Sequence, residues 1–224
     1  MLLNSLHEGR AKLLCRFLSE RHRQQAGGAN RTIHLVASLG GLLLMPSMMH
    51  AADVVEVIDA LELAGVDVWV CGGWGIDALL EEQTRPHDDL DVIIRADDIE
   101  AAIRVTRGLG FSLMTDELPQ GFVVRDMVDR RIDFHPVRFR RDGSAVQEIK
   151  GGGEWVFSAP GLLGAGSVNG REIRCLTPEE HAVRASDQPG DAGYEPDETD
   201  RRDLRLLRDR FRITLPYPYD NDTA

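Results

Sequence analysis

Two short runs of this 224-residue chain concentrate side chains able to do chemistry. The first is Gly72-Gly73-Trp74-Gly75-Ile76-Asp77-Ala78, followed closely by Thr84-Arg85-Pro86-His87-Asp88-Asp89-Leu90-Asp91. Alternate side chains of an extended segment share a face, so Asp89 and Asp91 project together. Carboxylates at that spacing repel one another unless a cation sits between them. Hard oxygen ligands on a rigid strand suit Mg²⁺, which keeps its remaining positions for water and substrate phosphates. The Gly72-Gly73 pair precedes a helical segment, where backbone N–H groups can approach an anion and the helix N-terminus adds favourable potential. A phosphate cradle beside a metal-binding pair points to phosphoryl or nucleotidyl transfer. The second run, Arg131-Ile132-Asp133-Phe134-His135, places Asp133 and His135 in alternation with apolar residues. If that strand neighbours the Asp89–Asp91 strand, Asp133 completes an acidic triad, while His135 is either support for the acids or a satisfied structural histidine.

The elements that must hold these residues follow from apolar periodicity. Val54, Val55, Ile58, Leu61 and Leu63 predict a helix closed by Gly65, and Val66–Cys71 predicts a strand ending at Gly72-Gly73. Ile76, Leu79 and Leu80 give a short helix, Leu90–Ile94 a strand, and residues 98–109 an amphipathic helix stopped by Gly110. Further strands are expected at Phe111–Met114, Gly121–Met127, Arg131–Val137, Trp155–Phe157 and Glu172–Cys175. Thr177-Pro178-Glu179-Glu180 reads as a capping box with proline at the first helical position, and opens a helix through about Arg184. A last helix carries Leu204, Leu206, Leu207 and Phe211. The fold class is α/β (α+β): a mixed β-sheet flanked by helices, with a small C-terminal α/β extension.

Composition bounds the ligand. The net charge is −11, which argues against nucleic acid in the absence of a basic patch and favours cations and metal-bound nucleotides. The three cysteines have neither zinc-ligand spacing nor a disulfide pattern, which fits a reducing cytosol, and Cys71 is expected buried. Residues 1–50 differ from the rest: six basic and two acidic side chains leave −15 on residues 51–224. The apolar stretch Ile33–Met49 is broken by Gly40, Gly41 and Pro46, too short and interrupted for a membrane span. Residues 1–50 are therefore expected to be a loose or non-native extension, with Met48 or Met49 as the start of the folded part. Residues 51–140 form the catalytic core and 141–215 the acceptor side of the same domain. Trp74 is read as packing, His181 as structural, and Tyr194 with its acidic neighbours as a solvated loop. The six acids between Ser186 and Asp200 lean the acceptor toward a polycationic sugar.

The run from Val68 to Val137 resembles the polymerase-β-like nucleotidyltransferases, above all the lincosamide and aminoglycoside-2″ adenylyltransferases. Gly72-Gly73-Trp74, Arg85–Asp91 and Asp133-Phe134-His135-Pro136 carry the resemblance. Gly193-Tyr194-Glu195-Pro196 and Asp200-Arg201-Arg202-Asp203 extend it, to about residues 50–211. It implies that Asp89 and Asp91 hold Mg²⁺ and that Asp133 is a metal ligand, the general base, or both. It also implies ATP as donor and a hydroxylated small-molecule acceptor, an aminoglycoside or lincosamide. Gly72, Gly73, Arg85 and His87 become candidate nucleotide contacts. The protein is expected to be a cytoplasmic monomer or homodimer with no membrane or nucleic-acid partner. Two alternatives remain at this point: a toxin-like enzyme that modifies protein or tRNA, and a silent nucleotide-binding regulatory module.

Overall fold

The helical repeat after His50 folds as α1, Ala51–Leu63, whose Val54, Val57, Ile58 and Leu61 are buried along one stripe. The chain is described here from a computed structural model over residues 48–186 and 197–220. After α1 comes β1, Val68–Val70, with all three residues buried, as for a central strand covered on both faces. Then follow α2, Gly72–Leu80; β2, Asp89–Arg95; and α3, Ile99–Gly108, entered through a 3₁₀ turn at Ala96–Asp98. Strands β3, Ser112–Asp116, β4, Phe122–Arg125, and β5, Arg131–Phe139, form a meander. The remainder is β6, Ala145–Glu148; β7, Glu154–Phe157; β8, Gly164–Val168; β9, Arg171–Cys175; α4, Pro178–Ser186; and α5, Glu198–Phe211.

The strands make one mixed sheet in the order β3-β4-β5-β2-β1-β9-β8, and β6 and β7 continue from the far end of β5. The β2–β5 and β1–β9 pairs are parallel and the rest antiparallel. Leu90, Val92, Ile94, Ile132 and Phe134 face α1 and α3 in the main core. On the opposite face Trp69, Ile93 and Val137 pack beneath Ala145, Phe157, Leu162 and Leu176. A third cluster seats α4 and α5 on α2 through Ile76, Ala182, Leu204 and Leu207.

The expected fold class is the one observed, with differences of detail. Strands β6 and β8 have no counterpart in the sequence reading, because Ala145–Glu148 lacks alternation and Gly164–Val168 is rich in glycine and small residues. Gly166 is small for a packing reason: a Cβ there would come 2.2 Å from the carbonyl oxygen of Ala78 on α2. The capping box at Thr177 forms only by half. Thr177 Oγ1 accepts from Glu180 N at 3.3 Å, but the Glu180 carboxylate turns away to accept from Ser158 Oγ at 2.6 Å. A cap that was not anticipated starts α5, where Asp197 and Asp200 exchange side-chain-to-backbone hydrogen bonds. Cys71 and Cys175 are buried as free thiols. Most of the extension expected at residues 1–50, and residues 187–196 with most of the acidic segment, lie outside the described residues.

Met49 and His50 are part of the folded unit. Met49 is fully buried in the main core and its amide donates to His87 O at 2.8 Å. His50 N donates to Asp53 Oδ2, capping α1. Met49→Ala is accordingly expected to cost about 2–5 kcal/mol, read as a lower urea midpoint with an unchanged m-value.

Candidate active site

Parallel pairing of β2 with β5 sets Asp89 opposite Arg131, Asp91 opposite Asp133 and Ile93 opposite His135. Alternation then puts Asp89, Asp91, Asp133 and His135 on one face of the sheet. Asp91, Asp133 and His135 offer ligand atoms within 4.8 Å of one another. Asp89 shares the face but stands outside that group, more exposed at the strand start.

The crowding leaves a mark on proton affinity. Burial, then Asp91 and Asp133, push the Asp89 carboxyl up to about 6. Asp133 is also held above the usual carboxylate range by burial and by Asp91, against the pull of His135. Burial draws His135 down, yet Asp91, Asp133 and Asp89 outweigh it and hold the imidazole above its ordinary value. Hydrogen bonds define the ring's orientation. Gln147 on β6 donates from Nε2 to Gln120 O at 2.6 Å and to His135 Nδ1 at 3.2 Å. With Nδ1 accepting, the ring proton lies on Nε2, directed at Asp91 Oδ1 3.5 Å away. His135 thus steers an acid rather than presenting a free lone pair, the arrangement in which outer residues orient a ligand.

The Gly72-Gly73 segment forms the first turn of α2, which starts as soon as β1 ends. Gly72 has φ +58°, and a Cβ there would lie 2.0 Å from Asp91 Oδ2. The carboxylate therefore rests directly on the backbone at the helix start, which only glycine permits. At Gly73 a Cβ would meet His87 Nδ1 at 2.4 Å and an Arg85 guanidinium nitrogen at 2.6 Å.

Arg85 and His87, expected near phosphates, both have protein partners. Arg85 Nε donates to Asp203 Oδ2 on α5 at 3.0 Å, while the side chain still lines the cavity beside the acids. His87 is buried, its Nε2 lies 2.5 Å from Asp77 Oδ2, and its ring packs on Trp74 at 4.7 Å between centroids. Asp77 also accepts from Thr84 Oγ1 at 2.7 Å, and Arg202 donates to Thr84 O at 2.8 Å. The loop leading to Asp89 is thereby tied to α2 and to α5. Two features escaped the sequence reading: Gln147, which carries no motif, and the pairing of Asp203 with Arg85, 118 residues distant.

A cavity of about 330 Å³ opens from Gly72, Gly73, Arg85, Asp91 and His135 toward β7, α4 and α5. His181 is among its lining residues, and burial pushes that imidazole down to about 4 against an upward pull from Asp91. An acidic pair on paired strands, beside a glycine helix start, can bind a metal-bound phosphate chain.

The family model described as aminoglycoside-2″-adenylyltransferase matches residues 53–207. The chain belongs to this family. A curated lincosamide resistance protein of Staphylococcus haemolyticus is 28% identical over 152 residues, covering 68% of this chain and 90% of that protein. A 2″-aminoglycoside nucleotidyltransferase of Klebsiella pneumoniae is 29% identical, across 54% of this chain and 63% of that one. The lincomycin-bound crystal structure of the lincosamide adenylyltransferase LnuA superposes with a TM-score of 0.62 at 25% identity, covering 72% of this chain and 98% of that one. ANT(2″)-Ia in complex with adenylyl-2″-tobramycin shares the fold at a TM-score of 0.54 and 22% identity, covering 72% and 88%. The protein is a nucleotidyltransferase with the antibiotic-modifying fold. No helix among the described residues is long and apolar enough to cross a membrane.

Two outcomes follow from this geometry. A carboxyl whose folded pKa is raised is destabilising once ionised, so its contribution worsens as pH rises from the unfolded value toward 6 for Asp89. Asp89→Asn and Asp133→Asn should each raise the melting temperature of the metal-free protein at pH 7, and this gain should vanish near pH 3.5 in calorimetric scans. Gly72→Ala should cost about 1–2 kcal/mol from its left-handed backbone alone. Displacing Asp91 should in addition cost about 10²-fold in nucleotidyl transfer, separable from stability by assaying well below the melting point.

Proposed function

We propose that this chain transfers AMP from MgATP to a hydroxyl group of an aminoglycoside or lincosamide antibiotic. The observation that carries the reading is the direct register of Asp91 with Asp133, next to a helix start where glycine lets Asp91 rest on the backbone. Three carboxylates on one face, two of them held above their usual range, form a hard-oxygen donor set that fits Mg²⁺. Asp91 and Asp133, with Asp89 beside them, would hold the ion, and bound there it would neutralise the charge of the triphosphate.

In this reading the chain's own groups do the rest. The first-turn amides of α2 and the Arg85 guanidinium bind phosphate oxygens. Asp133 takes the proton from the acceptor hydroxyl. The hydroxyl oxygen bonds to the α-phosphorus as the bond to the β-bridging oxygen breaks, and pyrophosphate carries the electron pair away. His135, braced by Gln147, keeps Asp91 aimed at the reacting centre.

Incubation with α-labelled ATP, Mg²⁺ and a panel including tobramycin and lincomycin should yield a labelled antibiotic and one pyrophosphate per adduct. Asp91→Asn should reduce transfer by at least ~10²-fold. Asp133→Asn should impair turnover more than MgATP binding if its role is to take the proton. Full turnover by both variants, or labelled protein or tRNA in place of labelled antibiotic, would refute the assignment.

A further inference from the structure

One wall of the cavity, formed by α4 and β7, holds polar atoms with no partner. His181 on α4 is only 5% exposed, and its Nε2 makes no hydrogen bond. Its ring lies so close to the first turn of α2 that a Cβ on Gly75 would come 2.7 Å from Cε1 and 2.8 Å from Nε2. Trp155 on β7 likewise buries an unpartnered Nε1–H. Arg184 stands three residues after His181, on the same helical face. It lays its guanidinium over the Phe157 ring at 4.9 Å and the Trp155 ring at 5.8 Å, joining α4 to β7 as one wall. His181, Trp155 and Arg184 line the same cavity as Gly73, Arg85 and Asp91.

We propose that this wall is the nucleobase site, where His181 Nε2 and the Trp155 Nε1–H read the edge of the donor nucleotide's base. The inference rests on the proposed function, in which the phosphates of the same nucleotide lie by Gly72, Gly73 and Arg85 of this cavity. Burying a donor or acceptor without a partner is costly, so the bound ligand is the natural supplier of both missing partners. Indole N–H can only donate, whereas a neutral imidazole takes either role. The complement is a rigid plane carrying a ring-nitrogen acceptor beside a second polar group, as the Watson–Crick edges of adenine and cytosine and the N7–O6 edge of guanine do. The aromatic wall suits a flat π-face, and the Arg184 guanidinium opposes an ammonium-rich sugar. A volume of about 330 Å³ accepts a base with its ribose. Three further cavities touch none of Asp89, Asp91 and Asp133.

Titration calorimetry of the full chain with MgATP, MgGTP, MgCTP and magnesium tripolyphosphate tests this. The wild type should favour one nucleotide by about 10-fold or more, as one good hydrogen bond allows. His181→Phe should erase that preference by weakening the favoured nucleotide, and leave tripolyphosphate affinity unchanged. His181→Gln, which restores a polar group, should recover part of it. Unchanged base ranking in His181→Phe, or a loss shared equally by tripolyphosphate, would overturn the inference. So would a rise in acceptor KM alone, which would assign the wall to the antibiotic. Wild-type binding of tripolyphosphate without base discrimination defeats this inference alone, whereas binding of no phosphate ligand defeats the proposed function too.

Discussion

Parallel pairing of β2 with β5 is the constraint on which the site depends. Seven consecutive residue pairs, Asp89–Arg131 through Arg95–Val137, fix the register. A slip of one residue would turn Asp91 or Asp133 into the apolar core and bring Leu90, Val92, Ile132 or Phe134 to the site face. The acids are therefore held together by the hydrophobic demand of the opposite face, where those four side chains are fully or almost fully buried. Carboxylates do not assemble of their own accord. Their repulsion shows in the raised proton affinity of Asp89 and Asp133, and core burial supplies the free energy that offsets it.

Much of this was legible in the sequence because it is local. Alternation in Asp89–Asp91 and Arg131–His135 predicts shared faces, and the apolar repeats of α1, α3 and α5 predict the covering layers. The pairing of β2 with β5 appears in the sequence only as a condition, since 41 residues, a helix and a hairpin among them, intervene between Leu90 and its partner Ile132. Arg85 and His87 illustrate a different limit. A cation and an imidazole beside a phosphate motif suggest ligand contacts, yet Asp203 and Asp77 engage them. Pairing with a residue 118 positions away leaves no periodic trace. Gln147 was invisible for the same reason, as its importance comes from lying within reach of His135 and Gln120 together.

The polar ties of the loop explain why the C-terminal helix belongs with the site. Residues 81–88 run exposed for much of their length, and such a segment on its own would place Asp89 poorly. Asp77 fastens it from α2 through Thr84 and His87; Arg202 and Asp203 fasten it from α5 through Thr84 and Arg85. Asp203 is almost fully buried, where an ion pair with a half-buried arginine gains more than at an open surface. Leu204 and Leu207 bury the adjoining face of α5 against α2. The short β2 approach is thus rigid because both helices grip it.

All these restraints meet at the first turn of α2, and that is why it is built from glycine. Asp91 from β2 presses on Gly72, His87 and Arg85 from the loop press on Gly73, and His181 from α4 presses on Gly75. Each approach is closer than any Cβ would allow. β2, the loop that leads to it and the distant α4 are brought onto one backbone turn that borders the cavity through Gly72 and Gly73. Tight convergence means that a methyl group at any of the three positions would push on a different functional element: an acid, the loop, or the inner wall. Trp74, between them, is the one bulky residue tolerated, because its side chain points away into the core against His87. The spacing Gly-Gly-Trp-Gly is therefore the imprint of the packing around α2, and the conformational cost of three glycines within four residues is offset by the proximity it permits.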